Sequence, residues 1–174
     1  MGRAKATLEV AGETFVGRLV RLFRELTPEV VVVVGAMGDL QVPGARTVRN
    51  PHWRLGQLSS LQTGLRALPS ALPAAFFTPV DFPLVQPATV WALWRRFEQQ
   101  QPLLVIPQCH DRRGHPVLAS ARVWEELLAL AASDQARRVI HAHRAETAYV
   151  EVDDPGIYID IDTPEDYARW VPAP

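Results

Sequence analysis

The sequence has very little cysteine and no long apolar run. Its 174 residues contain a single cysteine, Cys109, so an internal disulfide is impossible and nothing indicates a disulfide-stabilised secreted scaffold. The longest apolar run, VVVVGAM from Val31, is far too short to cross a bilayer. Residues 1–12 lack the apolar stretch of a secretory signal, so a cytoplasmic location is the expectation.

The sequence also has little net charge. The formal charge at pH 7 is −1, so no field of the whole protein favours nucleic acid or an anionic membrane, and neither is expected as a partner. Hydrophobic residues make up 48% of the chain and charged residues 21%, as in an ordinary globular domain. The length fits one domain, residues 1–174, with a sizeable core.

Helical and strand-like segments alternate along the chain. Residues 13–26 place apolar side chains on one helix face, and residues 29–35, EVVVVVG, are typical of a strand buried on both faces. Further helices and strands follow, up to an expected strand at residues 156–161, GIYIDI, and a final helix capped by Thr163. This alternation predicts an α/β layered fold with a mostly parallel sheet.

Carboxylates stand at the predicted strand ends, where ligands bind in an open parallel sheet. Asp81 follows the strand FFTPV, and Asp160 and Asp162 share one face of an extended segment. Oxygen ligands without a histidine or thiol cluster suit Mg²⁺, and we expect the three aspartates to converge. Lys5 and Arg3 add point charges for a triphosphate, so the set is compatible with a nucleotide site.

Two further segments carry turn signals. Gly56 permits a tight approach, and Ser59 and Ser60 lie in the first turn of a predicted helix, where free N–H groups point outward. Residues 113–117 form a Gly-His-Pro turn between apolar stretches. Each feature alone also has a simpler interpretation: Asp81 as a turn or helix cap, the serines as ordinary helix residues, and residues 160–166 as a capped helix start.

Taken together and in this order, these segments resemble the nucleotidyltransferases related to molybdenum cofactor cytidylyltransferase. The resemblance covers essentially the whole chain, and it implies a three-layer Rossmann-like nucleotide-diphospho-sugar transferase fold with a mostly parallel sheet. The matching segments are residues 1–5 (MGRAK), 50–65 (NPHWRLGQLSSLQTGL), 81–83 (DFP), 113–117 (RGHPV) and 160–166 (DIDTPED).

The resemblance also implies roles for individual residues. Lys5 and Asp81 would be catalytic, with Lys5 on the nucleotide phosphates and Asp81 on Mg²⁺. Asp160 or Asp162 would be the second metal ligand, and the choice between them stays open. The turn at Gly56 and the two serines would hold the base. The acceptor would face Gly114 and His115. The full nucleotide-binding set is Gly2, Lys5, Asn50, Gly56, Ser59, Ser60 and Asp81.

The implied reaction is attack by a phosphomonoester oxygen, as in molybdopterin, on the α-phosphorus of CTP, with release of pyrophosphate. The nucleophile is an anion at neutral pH and needs no general base, which agrees with the lack of a convincing Ser/His/Asp or Cys/His arrangement. A molybdoenzyme or its maturation chaperone would be a protein partner. Two alternatives stay open: a transferase with a sugar phosphate acceptor or guanylyl transfer, and an inactive remnant or non-catalytic binding protein.

The start of the chain raises a separate expectation. In the family it resembles, MGRAK ends a phosphate loop that follows an apolar strand, and neither the strand nor the start of the loop precedes Met1 here. The resemblance therefore implies a single nucleotidyltransferase domain that lacks its first strand and glycine-rich loop. Such a chain is expected to bind nucleotide poorly and to aggregate, because neighbouring strands would lose a partner.

Overall fold

The computed structural model of the protein describes residues 5–36 and 38–171. None of the helices in these two ranges is long and apolar enough to cross a membrane. The helices are α1 Phe15–Arg24, α2 Gln57–Ala67, α3 Pro87–Gln100, α4 Ala121–Ala129, α5 Arg137–Ala142 and α6 Pro164–Trp170. The strands are β1 Glu9–Val10, β2 Glu13–Thr14, β3 Val31–Val34, β4 Arg46–Arg49, β5 Ala74–Phe77, β6 Leu104–Cys109, β7 Arg112–Arg113, β8 Val117–Ser120 and β9 Thr147–Glu151. Short 3₁₀ turns lie at Lys5–Thr7, Trp53–Leu55, Arg144–Glu146 and Pro155–Ile157.

A mixed sheet of five strands forms the centre of the fold. Strand β8 lies between β5 and β6 and is antiparallel to both, and β9 pairs in parallel with β6. Strands β5, β6 and β9 therefore share one direction, and β8 interrupts the predicted parallel arrangement. The cause is the short link from β6 through β7 to β8, because parallel strands need a crossover of a dozen or more residues.

Strands β3 and β4 form a second, parallel pair, with Val31 opposite Arg46 and Val34 opposite Arg49. Within residues 5–36 and 38–171, β3 has β4 as its one strand partner. Val31, Val32 and Val33 are half-buried, whereas the sequence predicted a strand buried on both faces. A single strand neighbour explains the difference, although α2 covers β3 closely enough that a Cβ at Gly64 would lie 3.1 Å from Val33.

Helices cover the central sheet on both faces, which confirms the expected three layers. On one face α3 packs Leu93 and Phe97 against Val105 of β6. On the other face α2, α4 and α5 pack against the neighbouring β6 residues Leu104 and Ile106. Because side chains alternate along a strand, β6 supplies both cores at once. These apolar layers fix the strand ends on which the candidate site is built.

The segment GIYIDI is not the strand that the sequence predicted. It begins in the 3₁₀ turn Pro155–Ile157 and continues as irregular chain. The buried Asp154 carboxylate holds this turn, since it accepts hydrogen bonds from the Gly156 amide at 2.9 Å and the Thr89 hydroxyl at 2.6 Å. The final helix begins as predicted, with Thr163 and Asp166 forming a reciprocal capping box.

A histidine joins α4 to the segment after α5. The His143 ring lies 2.7 Å from Glu126 through Nε2 and 2.9 Å from Glu146 through Nδ1, and its side chain is only 11% exposed. Both nitrogens can donate at once only when the ring is protonated. The hydrogen bonds to Glu146 and then Glu126 raise the pKa of His143 above its ordinary value.

We expect His143→Gln to destabilise the fold by about 1–3 kcal/mol near pH 6 and by much less near pH 9. A raised folded-state pKa adds stability that is complete below the unfolded-state value of about 6.5 and is lost as pH rises through the folded-state pKa. Thermal denaturation of both proteins at the two pH values measures this. The exposed neighbour His141→Gln is the control, and an equal cost of His143→Gln at both pH values would contradict the account.

Candidate active site

The three predicted metal ligands come from two segments that lie far apart in the sequence. Asp81 lies four residues beyond the end of β5 and is half-buried, with 21% of its side chain exposed. Asp160 and Asp162 alternate with Ile159 and Ile161, whose side chains are buried against Phe15. Because the isoleucines point into the core, both aspartates point to the opposite side, as expected for residues i and i+2 of extended chain.

A backbone contact brings the two segments together. The Ile161 amide donates a 2.9 Å hydrogen bond to the Asp81 carbonyl. The carboxylate oxygens of Asp81, Asp160 and Asp162 then lie within 4.8 Å of one another. The predicted convergence is confirmed, and this spacing allows the three carboxylates to share one divalent cation.

Lys5 reaches the same place from the first described turn. Its ammonium lies 3.3 Å from Asp81 Oδ2 and forms an ion pair with Asp162. The side chain is 28% exposed. Gly2, which the resemblance placed in the nucleotide site, lies outside the described residues. Asp81, Asp160 and Asp162, which we call the acidic triad, thus form one charged cluster with Lys5.

The triad carries more negative charge than Lys5 neutralises. Partial burial raises the pKa of Asp160 above its ordinary value, and the negative charge of Asp81 raises it further, while Lys5 opposes the shift. Like charges this close disfavour the ionised form of each other. A bound cation would relieve the repulsion, so the site is built to attract positive charge.

The residues predicted around the base form a hydrogen-bonded loop. The Asn50 side chain is buried and donates from Nδ2 to the Ser59 and Ser60 hydroxyls, at 2.9 and 3.0 Å. Ser59 is also buried, and its single hydroxyl proton can be donated to the Gly56 carbonyl at 2.8 Å or to the His52 carbonyl at 3.1 Å. Asn50 and Ser59 therefore point into the loop and hold its shape, and Gly56, with φ +112°, makes the turn into α2.

Next to this loop, an exposed tryptophan packs over the end of β3. Trp53 is 39% exposed, and a Cβ at Gly35 would lie 2.7 Å from its ring. The close contact requires glycine at position 35. Trp53 belongs to the matched motif at residues 50–65, where it has no role of its own, and Gly35, which directly follows β3, has no motif.

The predicted acceptor residues lie against the segment that carries the triad. A Cβ on Gly114 would overlap the Ile157 carbonyl oxygen, and the same oxygen accepts a 2.8 Å hydrogen bond from the His115 amide. The His115 ring packs on Phe82, next to Asp81, with ring centroids 4.7 Å apart. Burial lowers the pKa of His115, partly opposed by a hydrogen bond with the Phe77 backbone, so the ring is neutral near pH 7.

The chain matches the family model for the MobA-like NTP transferase domain over residues 1–147. Comparison with curated protein sequences gave no match. Among solved structures, Rv0371c from Mycobacterium tuberculosis superposes with a TM-score of 0.82 at 22% identity, over 99% of this chain and 91% of that one. A manganese complex of the same protein superposes with a TM-score of 0.78 at 22% identity, over 99% of this chain and 94% of that one.

Two other similar structures are of proteins named for nucleotide-dependent biosynthesis. The 2-C-methyl-D-erythritol 4-phosphate cytidylyltransferase from Thermus thermophilus gives a TM-score of 0.71 at 19% identity, over 93% of this chain and 89% of that one. Molybdopterin-guanine dinucleotide biosynthesis protein A from Archaeoglobus fulgidus gives a TM-score of 0.68 at 16% identity, over 97% of this chain and 89% of that one. At these identities the structures establish a common fold.

The family match and the fold define the class of protein: it is a nucleotidyltransferase with a Rossmann-like α/β fold. More narrowly, the chain belongs to the MobA-like NTP transferase domain family. The resemblance seen in the sequence motifs is thereby confirmed at the level of the family.

We expect Gly114→Ala to destabilise the protein by about 1–3 kcal/mol or more, because the new methyl group would push away the Ile157 carbonyl. Urea unfolding of the variant and the parent measures the change. Gly64→Ala is the matched control, since its methyl group meets only a Val33 side chain at 3.1 Å and lies in a helix. A Gly114→Ala protein as stable as the parent would show that the contact is not tight.

Proposed function

We propose that this protein transfers CMP from CTP to a phosphorylated acceptor such as molybdopterin, and releases pyrophosphate. The observation that carries the proposal is the convergence of Lys5 with Asp81, Asp160 and Asp162 beyond the end of β5. The family is one of nucleotidyltransferases, and the choice of cytidylyl transfer rests on the sequence motifs at residues 113–117 and 160–166.

The residues of the triad fit Mg²⁺. All three donors are carboxylates, and one oxygen of each lies within 4.8 Å of the others. Burial raises the pKa of Asp160, and the negative charge of Asp81, which a cation would offset, raises it further. Asp81 would hold the metal together with Asp160 or Asp162. When bound, Mg²⁺ would neutralise phosphate charge and polarise the α-phosphate. The manganese complex of Rv0371c shows that a protein of this fold takes a divalent cation.

The protein's own groups would act mainly by alignment. Lys5 would bind the triphosphate and offset its charge. The loop held by Asn50 and Ser59 would present the backbone around Gly56, and the hydroxyl of Ser60, to the base. An acceptor phosphate oxygen would attack the α-phosphorus while the bond to the β-phosphate oxygen breaks. No side chain has to remove a proton, because the phosphomonoester is already ionised.

The acceptor would lie beside Phe82 and His115. A neutral imidazole packed on an aromatic ring suits contact with a planar, polar heterocycle better than contact with a phosphate. Gly114 would act indirectly, since its close packing on Ile157 fixes the position of His115. We place the reaction in the cytoplasm, with a molybdoenzyme or its maturation chaperone receiving the product.

We expect Asp81→Asn to abolish metal-dependent nucleotidyl transfer, a loss of at least about a hundredfold, while the melting temperature stays nearly unchanged. The amide removes a charged ligand and keeps the shape of the side chain. Pyrophosphate release with CTP, Mg²⁺ and acceptor measures the effect. Asp153→Asn, at an exposed carboxylate outside the triad, is the control. Retained transfer with a large loss of stability would identify Asp81 as a structural cap.

The donor nucleotide is tested by a thermal-shift panel of CTP, GTP, ATP and UTP with Mg²⁺. A ligand that binds the folded state raises the melting temperature, and at equal concentration the tighter ligand raises it more, so CTP is expected to give the largest shift. A larger shift with GTP would replace cytidylyl by guanylyl transfer. No shift with any nucleotide would favour a non-catalytic protein of the same fold.

A further inference from the structure

Lys5 contacts the same carboxylates that would bind the metal. Its ammonium lies 3.3 Å from Asp81 and is paired with Asp162, and these two side chains belong to a group only 4.8 Å across. A divalent cation bound by the same group would stand within a few ångströms of the ammonium. Two cations at that separation repel strongly in a partly buried site, so Lys5 and a free metal ion compete for the triad.

The backbone of Lys5 is held by contacts that do not involve its side chain. The Lys5 carbonyl accepts a 3.0 Å hydrogen bond from the Leu8 amide. Ala6 packs into the cluster around Val16 and Val20, and Leu8 packs into the cluster that contains Ile161. The ammonium, on a flexible stem that is 28% exposed, can therefore exchange partners without any movement of the main chain.

Lys5 is also the only lysine of the sequence, and every other member of the 18 Lys and Arg residues is arginine. An arginine at this position would bind a carboxylate through two parallel hydrogen bonds of fixed geometry. A lysine ammonium is a compact charge without a required direction, so it leaves one anion for another more easily. Of the two basic side chains, lysine is thus the one better suited at position 5 to exchange one anionic partner for another.

We propose that Lys5 is an exchangeable counter-ion: it occupies the acidic triad when no nucleotide is bound and transfers to the triphosphate when nucleotide arrives. This inference rests on the metal–nucleotide site proposed above. Free metal then binds weakly, because it must displace Lys5. The triphosphate offers the ammonium a new anionic partner and frees Asp81 and Asp162 for the metal. Metal and nucleotide therefore bind with positive coupling, which is reciprocal by thermodynamic necessity.

The first test compares Mn²⁺ binding by calorimetry to the parent, Lys5→Met and Asp81→Asn proteins without nucleotide. We expect Lys5→Met to bind Mn²⁺ about tenfold more tightly than the parent, because the competing charge is gone. Addition of CTP should tighten Mn²⁺ binding to the parent and much less to Lys5→Met. Arg138→Met, which removes one charge from an exposed pair with Asp134, controls for net charge.

The outcomes separate this inference from the function on which it rests. Equal or weaker Mn²⁺ binding by Lys5→Met, together with loss of binding in Asp81→Asn, would overturn the counter-ion role and leave the metal site standing. Unchanged Mn²⁺ binding by Asp81→Asn would overturn the metal site itself. An equal gain in Arg138→Met would show a general charge effect and would also overturn the counter-ion role.

A second measurement observes Lys5 directly in the unsubstituted chain. Reductive methylation with ¹³C-formaldehyde labels one lysine ε-amine and the α-amine, and it preserves the positive charge. Titration with Mg²⁺ and CTP together should shift the Lys5 methyl resonance, because the ammonium leaves the carboxylates for phosphate. A resonance that stays in place at concentrations that saturate the protein would show that Lys5 keeps its partners, and the proposal would be wrong.

Discussion

The hydrogen bond from the Ile161 amide to the Asp81 carbonyl, 2.9 Å long, joins two segments that lie 80 residues apart in the chain. Ile159 and Ile161 anchor one side of this junction in the core around Phe15. Because extended chain alternates its side chains, the same burial directs Asp160 and Asp162 toward Asp81. Apolar packing therefore offsets the repulsion among the three carboxylates and holds them close together.

The second determinant of the site is its balance of charge. Three carboxylates share one ammonium, and partial burial, followed by the negative charge of Asp81, raises the pKa of Asp160. A further cation would offset the remaining negative charge, and the family to which the chain belongs acts on nucleoside triphosphates, whose phosphates bind Mg²⁺. The packed rings of Phe82 and His115 lie beside the charged cluster, so an aromatic surface and a charged surface meet at Asp81.

The sequence predicted those features that depend on a local pattern of residues. It did not predict the features that depend on contacts between residues far apart in the chain. Apolar periodicity predicted the helix at residues 13–26, the family resemblance implied the three layers, and the reasoning from strand ends predicted that the three aspartates converge. The direction of β8 and the irregular path of GIYIDI depend on a short link and on the buried Asp154, which no periodicity encodes. The inward orientation of Ser59 depends likewise on Asn50.

The most direct test of this account is a crystal structure with Mn²⁺ and CTP, in which the metal is located by its anomalous scattering. The account predicts a peak within about 2.5 Å of an Asp81 carboxylate oxygen, shared with Asp160 or Asp162 and with the phosphates of the nucleotide. A metal bound to the nucleotide away from these carboxylates, or bound elsewhere on the protein, would contradict it.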